Sequence, residues 1–346
     1  MSLLPRNTII VGDVRERLAE LPESSVDCVI TSPPYFRLRD YQVDGQIGLE
    51  GTVDEWVDEL RLVFRGLARV LKPTGSAWLN LGDSYSRHSR FGAPPKSLLL
   101  GPERLALGLI EDGWSVRNVV TWEKANTMPS SVRDRLATKS EVIYFLTRSP
   151  KYHFDLDAIR VPHRSSPPRR GPGSKGTGRP GTRPAWAGPL AGNNSGLARM
   201  RAAGRIGHPL GKNPGDVWRT AASNFRGQHF ATFPTELIDR PLLAACPERV
   251  CRGCGLPWQR QTATNSDGEV LPGVLRPDCA CRADSRPGVV LDPFMGAGTV
   301  GVVAERHDRD WLGVELNPDF AELATKRIEA ARDQMSSGGG GHRHAA

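Results

Sequence analysis

The sequence predicts an α/β fold: a doubly wound, mostly parallel sheet with helices on both faces. Three observations carry this. Short β-branched runs alternate with amphipathic stretches at both ends of the chain. Several of these runs stop at small or turn-forming residues, where a strand hands over to a helix. A glycine turn, Gly296-x-Gly298-x-x-Gly301, lies between a strand-like and a helix-like run near the C-terminus.

Taken in order, Thr8-Ile9-Ile10-Val11 reads as a short buried strand ending at Gly12-Asp13. Val14 to Leu21 has helical spacing, and Val26 to Thr31 is a second strand stopped by Pro33-Pro34. Trp56, Leu60, Val63, Phe64, Leu67, Val70 and Leu71 recur at three and four, the pattern of an amphipathic helix. It stops at Lys72-Pro73-Thr74-Gly75. A strand over Ser76 to Leu81 follows, then a helix over Leu98 to Glu111 and strands near Val116 to Trp122 and Glu141 to Leu146. Structure resumes near Asp216-Val217-Trp218, and Pro234 to Ala245 reads as a helix with proline near its start. Val289-Val290-Leu291 is a strand, a helix runs from the glycine turn to about Arg306, and Trp311 to Glu315 is the next strand. Asn317 and Pro318 suit the N-cap and first turn of a last helix. The Gly-rich tail from Ser336 reads as disordered.

Charge divides the chain unevenly. The formal net charge is +8, yet Arg160 to Lys212 holds eleven Arg and Lys and no Asp or Glu. A basic block on a near-neutral body implies a polyanion partner, and Arg164, Arg169, Arg170, Lys175, Arg179, Arg183, Arg199 and Arg201 are its candidate contacts. Trp186 among them would either stack on nucleic acid or anchor the segment. The block is too long and too rich in Gly and Pro for an ordinary connection. No stretch approaches 18 consecutive apolar residues, so no membrane span is expected, and a cytoplasmic location is the default.

Four of the six cysteines fall in two close pairs, Cys251-x-x-Cys254 and Cys279-x-Cys281. Four thiolates can hold a tetrahedral structural zinc with no position left for catalysis. Cys28 lies within a strand and reads as core.

Two segments carry chemistry. In the first, small residues at Gly296 and Gly298 let a nucleoside approach the backbone, and Glu315 at the next strand end can bind ribose hydroxyls. Asp292 ends the preceding strand, where a carboxylate can meet an ammonium group. In the second, Thr31-Ser32-Pro33-Pro34-Tyr35, two prolines stiffen a strand end. Ser32 and the Pro33 carbonyl can accept hydrogen bonds from an amino group, and Tyr35 offers a face for stacking. A base flipped from a duplex needs such edge acceptors and an aromatic surface.

Ser32-Pro33-Pro34-Tyr35 resembles the catalytic motif of amino-methyltransferases, and Asp292-Pro293-Phe294-Met295-Gly296-Ala297-Gly298-Thr299 resembles their cofactor motif. Catalytic motif first and cofactor motif last is similar to the permuted, β-class order of bacterial DNA methyltransferases. The similarity extends to Gly12-Asp13 (an adenine-contacting segment), to Trp122-Glu123-Lys124 with Asn126 and Pro129, and to His229 with Phe233-Pro234-Thr235-Glu236-Leu237 near the methionine end.

The resemblance implies a seven-stranded class I fold with one antiparallel strand, to which the two cysteine pairs add a zinc-knuckle insertion. It divides the chain into a catalytic half (1–160), a basic target-recognition region (161–214), a return segment (215–245), the knuckle (246–286), a cofactor half (287–335) and a tail (336–346). It implies S-adenosylmethionine as cofactor, double-stranded DNA as substrate and direct methyl transfer to an exocyclic nitrogen. The cofactor residues it implies are Asp13, Phe233, Thr235, Asp292, Phe294, Gly296, Gly298, Thr299, Glu315 and Asn317.

Serine at position 32, first in the motif, resembles N4-cytosine enzymes more than N6-adenine enzymes, which more often carry aspartate there; adenine N6 is the alternative. Dimerisation is common in the family, and a cognate restriction endonuclease is a further expected partner. A dinucleotide oxidoreductase or a non-catalytic zinc ribbon would each leave one or more of these features without a role.

Overall fold

The computed structural model describes residues 3–127, 130–163, 208–222, 233–264 and 270–338. Its strands are β1 (Thr8–Val11), β2 (Val26–Thr31), β3 (Leu71–Leu81), β4 (Ser115–Lys124), β5 (Ser140–Thr147) and β6 (Val217–Thr220). They continue with β7 (Val250–Cys251), β8 (Gln259–Thr264), β9 (Val270–Arg276), β10 (Ser285–Arg286), β11 (Val289–Asp292) and β12 (Asp310–Glu315). The helices are α1 (Val14–Glu20), α2 (Val53–Val70), α3 (Gly101–Glu111), α4 (Thr235–Ala245), α5 (Thr299–Arg306) and α6 (Pro318–Gly338).

Eight strands form the main sheet in the order β1-β12-β11-β2-β3-β5-β4-β6. Neighbours are parallel except at β5, which runs antiparallel to β3 and to β4. The one antiparallel strand agrees with expectation; the strand count of seven does not. The eighth is β6, which pairs in parallel with the outer edge of β4 from Thr121↔Val217 to Lys124↔Thr220. Trp218 secures it by stacking 6.1 Å from Trp78 across the sheet face.

Side-chain alternation builds two cores. On β2, Val29 joins the core under α1, α2 and α3, while Cys28 and Ile30 join the one under α4, α5 and α6. On β3, Leu79 and Trp78 divide the same way, as do Leu291 and Val290 on β11. Helices therefore cover both faces, and the central strands read as continuous apolar runs.

Helix α2 begins at a capping box, with Thr52 Oγ1 accepting from Glu55 N at 3.2 Å and Glu55 Oε2 accepting from Thr52 N at 3.2 Å. A cap of this kind contributes about 1 kcal/mol. Helix α3 starts at Gly101, three residues later than its apolar pattern suggests. Leu98 is bridged to Tyr85 instead, and Asp83 accepts from the backbone N–H groups of Leu100 and Gly101. Helix α6 is capped by Asn317, whose side chain accepts from Asp319 N at 2.9 Å. It continues to Gly338, so the residues just after Ser336, read as disordered tail, are helical.

The two ends of the basic segment lie side by side, because Val161 and Lys212 exchange backbone hydrogen bonds of 3.0 and 2.9 Å. Residues 164–207, with Arg164, Arg169, Arg170, Lys175, Arg179, Arg183, Trp186, Arg199 and Arg201, lie outside the described residues, as do Pro129 and His229.

Connections leave β11 in one direction, toward β12, and leave β2 in the other, toward β3. The β11/β2 pair is therefore the switch point of the doubly wound sheet. A crevice opens there, beyond the carboxyl ends of the strands.

Candidate active site

The crevice holds a cavity of about 370 Å³, lined by residues at the ends of all eight strands of the main sheet or in the segments beside them. Strand β2 supplies Ser32, Pro33, Pro34 and Tyr35, and β11 supplies Asp292 to Ala297 and Thr299. Strand β12 supplies Glu315 and Asn317, and β1 supplies Gly12 and Asp13. Phe233 and Phe320 add aromatic surface. The two motifs, some 260 residues apart in sequence, meet directly: Thr31 Oγ1 donates to Asp292 Oδ1 at 2.8 Å, a separation of 261 residues.

Asp292 is buried, and Phe294 N also donates to its Oδ1 at 3.1 Å. Among the described residues no Lys, Arg or His bonds to it. Burial pushes its carboxyl up to about 7, against the opposing hydrogen bonds from Thr31 and Phe294. A cationic ligand group would restore its charge.

Glu315 is held at both oxygens, Oε2 accepting from Gly296 N at 2.7 Å and Oε1 from Asn317 N at 2.9 Å. Burial raises its carboxyl too, and these N–H groups oppose the rise. Having only acceptors, it suits the paired hydroxyls of a ribose. A carboxylate for a cation, a carboxylate for a diol and aromatic walls form a donor set that fits S-adenosylmethionine.

Other predicted cofactor residues divide. Asp13, Phe233, Phe294, Gly296, Thr299 and Asn317 line the cavity. Asp13 also caps α1 and is paired with Arg15, which lowers its carboxyl pKa. Gly298 does not line it. Gly298 caps α5 at φ +74°, and a Cβ there would come 2.9 Å from the Cβ of Ala324, so its part is to let α5 pack on α6. Thr235, at the start of α4, turns its hydroxyl to Glu236 at 3.4 Å and also stands outside the cavity lining.

The catalytic motif is braced from behind. Trp56 of α2, nearly fully buried, donates from Nε1 to the Pro34 carbonyl at 2.9 Å. That carbonyl is therefore occupied, whereas the Ser32 hydroxyl stands at the cavity. Ser32 Oγ donates to Tyr35 Oη at 3.2 Å, and Tyr35 Oη donates to Glu141 Oε2 at 2.7 Å. Asn80 Nδ2 donates to the same oxygen at 3.1 Å, and Lys124 Nζ pairs with Glu141 Oε1. The ring of Tyr35 lies on Gly82, where a Cβ would come 2.9 Å from Cε2.

Sequence reasoning missed Glu141 and Asn80 as site residues and gave Lys124 no role. Their signal was polarity at the ends of apolar strands, in Leu79-Asn80-Leu81 and Glu141-Val142-Ile143.

At the opposite, amino end of the sheet, the Sγ atoms of Cys251, Cys254, Cys279 and Cys281 all lie within 4.8 Å of one another. Sulfurs bound to one zinc at about 2.3 Å stand roughly 3.8 Å apart, so a small contraction completes a tetrahedral site. Backbone N–H groups of Cys254 and Gly253 lower the Cys251 thiol to about 7. Pairing of β7 with β10 joins the two cysteine arms. The β8–β9 hairpin is clipped to the body by Arg260, which donates to Asp155 at 2.8 Å and to Glu248 at 3.2 Å.

A switch-point crevice with this motif pair defines a bacterial DNA amino-methyltransferase. The sequence matches the DNA methylase family over residues 26–326, and the chain belongs to that family. It is 33% identical over 344 residues to the type II methyltransferase M.Cfr9I of Citrobacter freundii, covering 93% of this chain and 87% of that protein. To M.SmaI of Serratia marcescens it is 33% identical over 342 residues, covering 92% and 90%.

Among solved structures, the PvuII DNA methyltransferase (cytosine-N4-specific) shares the fold with a TM-score of 0.56 at 18% identity, over 97% of this chain and 94% of that one. A DNA modification methylase of Thermus thermophilus, TTHA0409, complexed with S-adenosyl-L-methionine, does so with a TM-score of 0.53 at 23% identity, over 94% and 95%. No helix among the described residues is long and apolar enough to cross a membrane.

Proposed function

We propose that the chain methylates the exocyclic N4 of cytosine in duplex DNA, with S-adenosylmethionine as methyl source and the target base flipped into the crevice. The observation that carries this reading is the position of Ser32, at a strand end tied through Thr31 to the cofactor-side carboxylate Asp292. S-adenosylmethionine, when bound, supplies the sulfonium methyl for in-line transfer.

The chain's own residues do the rest. Asp292 holds the ammonium group and Glu315 the ribose hydroxyls, while Gly296, Thr299 and Asn317 shape the cradle. Phe233, Phe294 and Asp13 border the adenine and methionine ends. Ser32 Oγ and the Pro33 carbonyl accept from the amino group of the base, which draws its lone pair out of conjugation and stabilises the charge that develops. Tyr35 stacks on the base. Serine, in place of aspartate, at the first motif position favours cytosine over adenine.

Zinc on Cys251, Cys254, Cys279 and Cys281 would be structural, because four thiolates fill its coordination. Removing it with a chelator is expected to lower Tm. The basic segment 161–214 is the target-recognition region in this reading, with affinity that falls as salt rises. The designation of the relatives as type II methyltransferases supports a cognate restriction endonuclease as partner.

Methylation of plasmid DNA, followed by nucleoside mass spectrometry and mapping of the modified sites, tests the proposal. N4-methylcytosine is the expected product. N6-methyladenine would replace the target base, and no methylated nucleoside at all would overturn the reading. Ser32→Ala should bind the cofactor normally yet lose turnover by roughly a hundredfold or more.

A further inference from the structure

Behind Tyr35 runs a hydrogen-bond chain whose direction is fixed by charge. Glu141 belongs to β5, the one antiparallel strand of the main sheet, which is why its N-terminal end reaches the crevice. Its carboxylate is paired with Lys124, and a carboxylate offers acceptors only. Asn80 must therefore present its amide nitrogen to Oε2, and that group donates its other proton to the Val142 carbonyl at 3.1 Å. Tyr35 must likewise donate its hydroxyl proton to Oε2. Its oxygen is then left as an acceptor, filled by the single proton of Ser32. Nothing on the Ser32 hydroxyl remains to donate into the cavity. A serine hydroxyl is ordinarily free to rotate and either donate or accept. Here one end of the chain commits the other.

We propose that Glu141 is a positioning residue that sets the hydrogen-bond polarity of the catalytic pocket, holding Ser32 Oγ as an acceptor so that the pocket takes a base presenting an amino group and rejects one presenting a carbonyl there. An amino edge meets a lone pair, whereas a carbonyl edge meets oxygen against oxygen. Such a mismatch in a built polar site discriminates by far more than a missing contact in an apolar one. The Tyr35 hydroxyl keeps its proton throughout: burial, and next the charge of Glu141, hold its pKa well above the usual phenol range.

The inference rests on the amino-transfer reading of the crevice, and it applies equally to cytosine and to adenine. Glu141→Gln breaks the polarity. An amide turned with its oxygen to Lys124 puts N–H groups against Tyr35, which reverses the Tyr35 proton toward Ser32 and turns the Ser32 proton into the cavity. The opposite amide orientation sets N–H groups against the Lys124 ammonium.

The test uses the full chain and two duplexes carrying the mapped site, each with the target position opposite an abasic nucleotide so that pairing strength is equal. One carries the amino base; the other carries its carbonyl counterpart, uracil for cytosine or hypoxanthine for adenine. Equilibrium binding should favour the amino base by roughly tenfold or more in the wild type. The ratio should fall toward unity in Glu141→Gln and recover in Glu141→Asp. Because both duplexes are bound by the same protein, a uniform loss of affinity cancels from the ratio.

Tyr35→Phe removes a single hydroxyl, frees Ser32 to rotate and should also lose the preference, so it carries the test if Glu141→Gln does not fold. A wild type without preference, or variants that keep the wild-type ratio, would overturn the inference. If DNA is still methylated in that case, the amino-transfer reading stands and only the polarity assignment fails.

Discussion

Two buried aspartates stand at opposite ends of the same pair of strands. Asp27, near the amino end of β2, is 2% exposed; Asp292, at the carboxyl end of β11, is 1% exposed. Asp27 has a cation of its own: Lys72 Nζ lies 2.6 Å from Oδ1, while Oδ2 accepts from Val289 N at 2.9 Å. Among the described residues, Asp292 has only a threonine hydroxyl and one backbone N–H. Burial raises both carboxyls; Lys72 opposes the rise at Asp27, whereas Asp292 reaches about 7.

The difference separates structure from function. Where the protein supplies the counter-charge, the carboxylate fastens strands together. Lys72 also donates to the Gly255 carbonyl at 3.3 Å, tying the cysteine knuckle to the sheet. Where the counter-charge is withheld, the proposed function gives the carboxylate a ligand's cation instead.

Breaking the structural pair has the largest expected effect. Lys72→Met leaves Asp27 buried without a counter-charge and should cost about 3–5 kcal/mol of stability in urea unfolding. Adding Asp27→Asn should recover much of that loss. Stability unchanged in the single variant would mean that the pair fastens nothing.

The functional carboxylate should behave in the opposite sense. Between about pH 4 and pH 7 the folded chain keeps a proton on Asp292 that the unfolded chain has released, so the stability of the ligand-free protein falls as pH rises through that window. Asp292→Asn should remove this part of the pH dependence without destabilising the fold. A ligand-free Asp292→Asn protein less stable than wild type near pH 7 would count against the contrast.

A smaller effect is expected at Gly82. A Cβ there would meet the Tyr35 ring at 2.9 Å and Glu141 at 3.3 Å. Gly82→Ala should therefore lower kcat about tenfold through misplaced groups while leaving cofactor affinity alone.

Much of this was legible from residues alone. The two core faces follow from runs such as Val26 to Thr31 and from the three-and-four spacing of α2. Asp292 and Ser32 stood out because they end strands next to glycine and proline turns. The rest depended on pairings that no local pattern carries. Strand β6 has only four residues, and it joins the sheet by lying beside β4, some 96 residues earlier. Glu141 reaches Tyr35 across 106 residues, and only because β5 runs against its neighbours. Gly298 and Thr235 sit inside matching motifs, yet Gly298 faces the packing of two helices and Thr235 its own first turn. A motif gives residue identity, whereas the direction a side chain takes is decided by packing.

Calorimetric titration of S-adenosylmethionine into the wild type and Asp292→Asn, at about pH 6 and about pH 7.5, tests the central claim most directly. A carboxyl titrating near 7 that binds the ligand's ammonium predicts wild-type affinity rising roughly fivefold over that interval. Asp292→Asn should bind roughly a hundredfold more weakly, with no such rise. A wild type whose affinity ignores pH, or an Asp292→Asn protein that binds as tightly as the wild type, would contradict the assignment of the buried carboxylate to the cofactor.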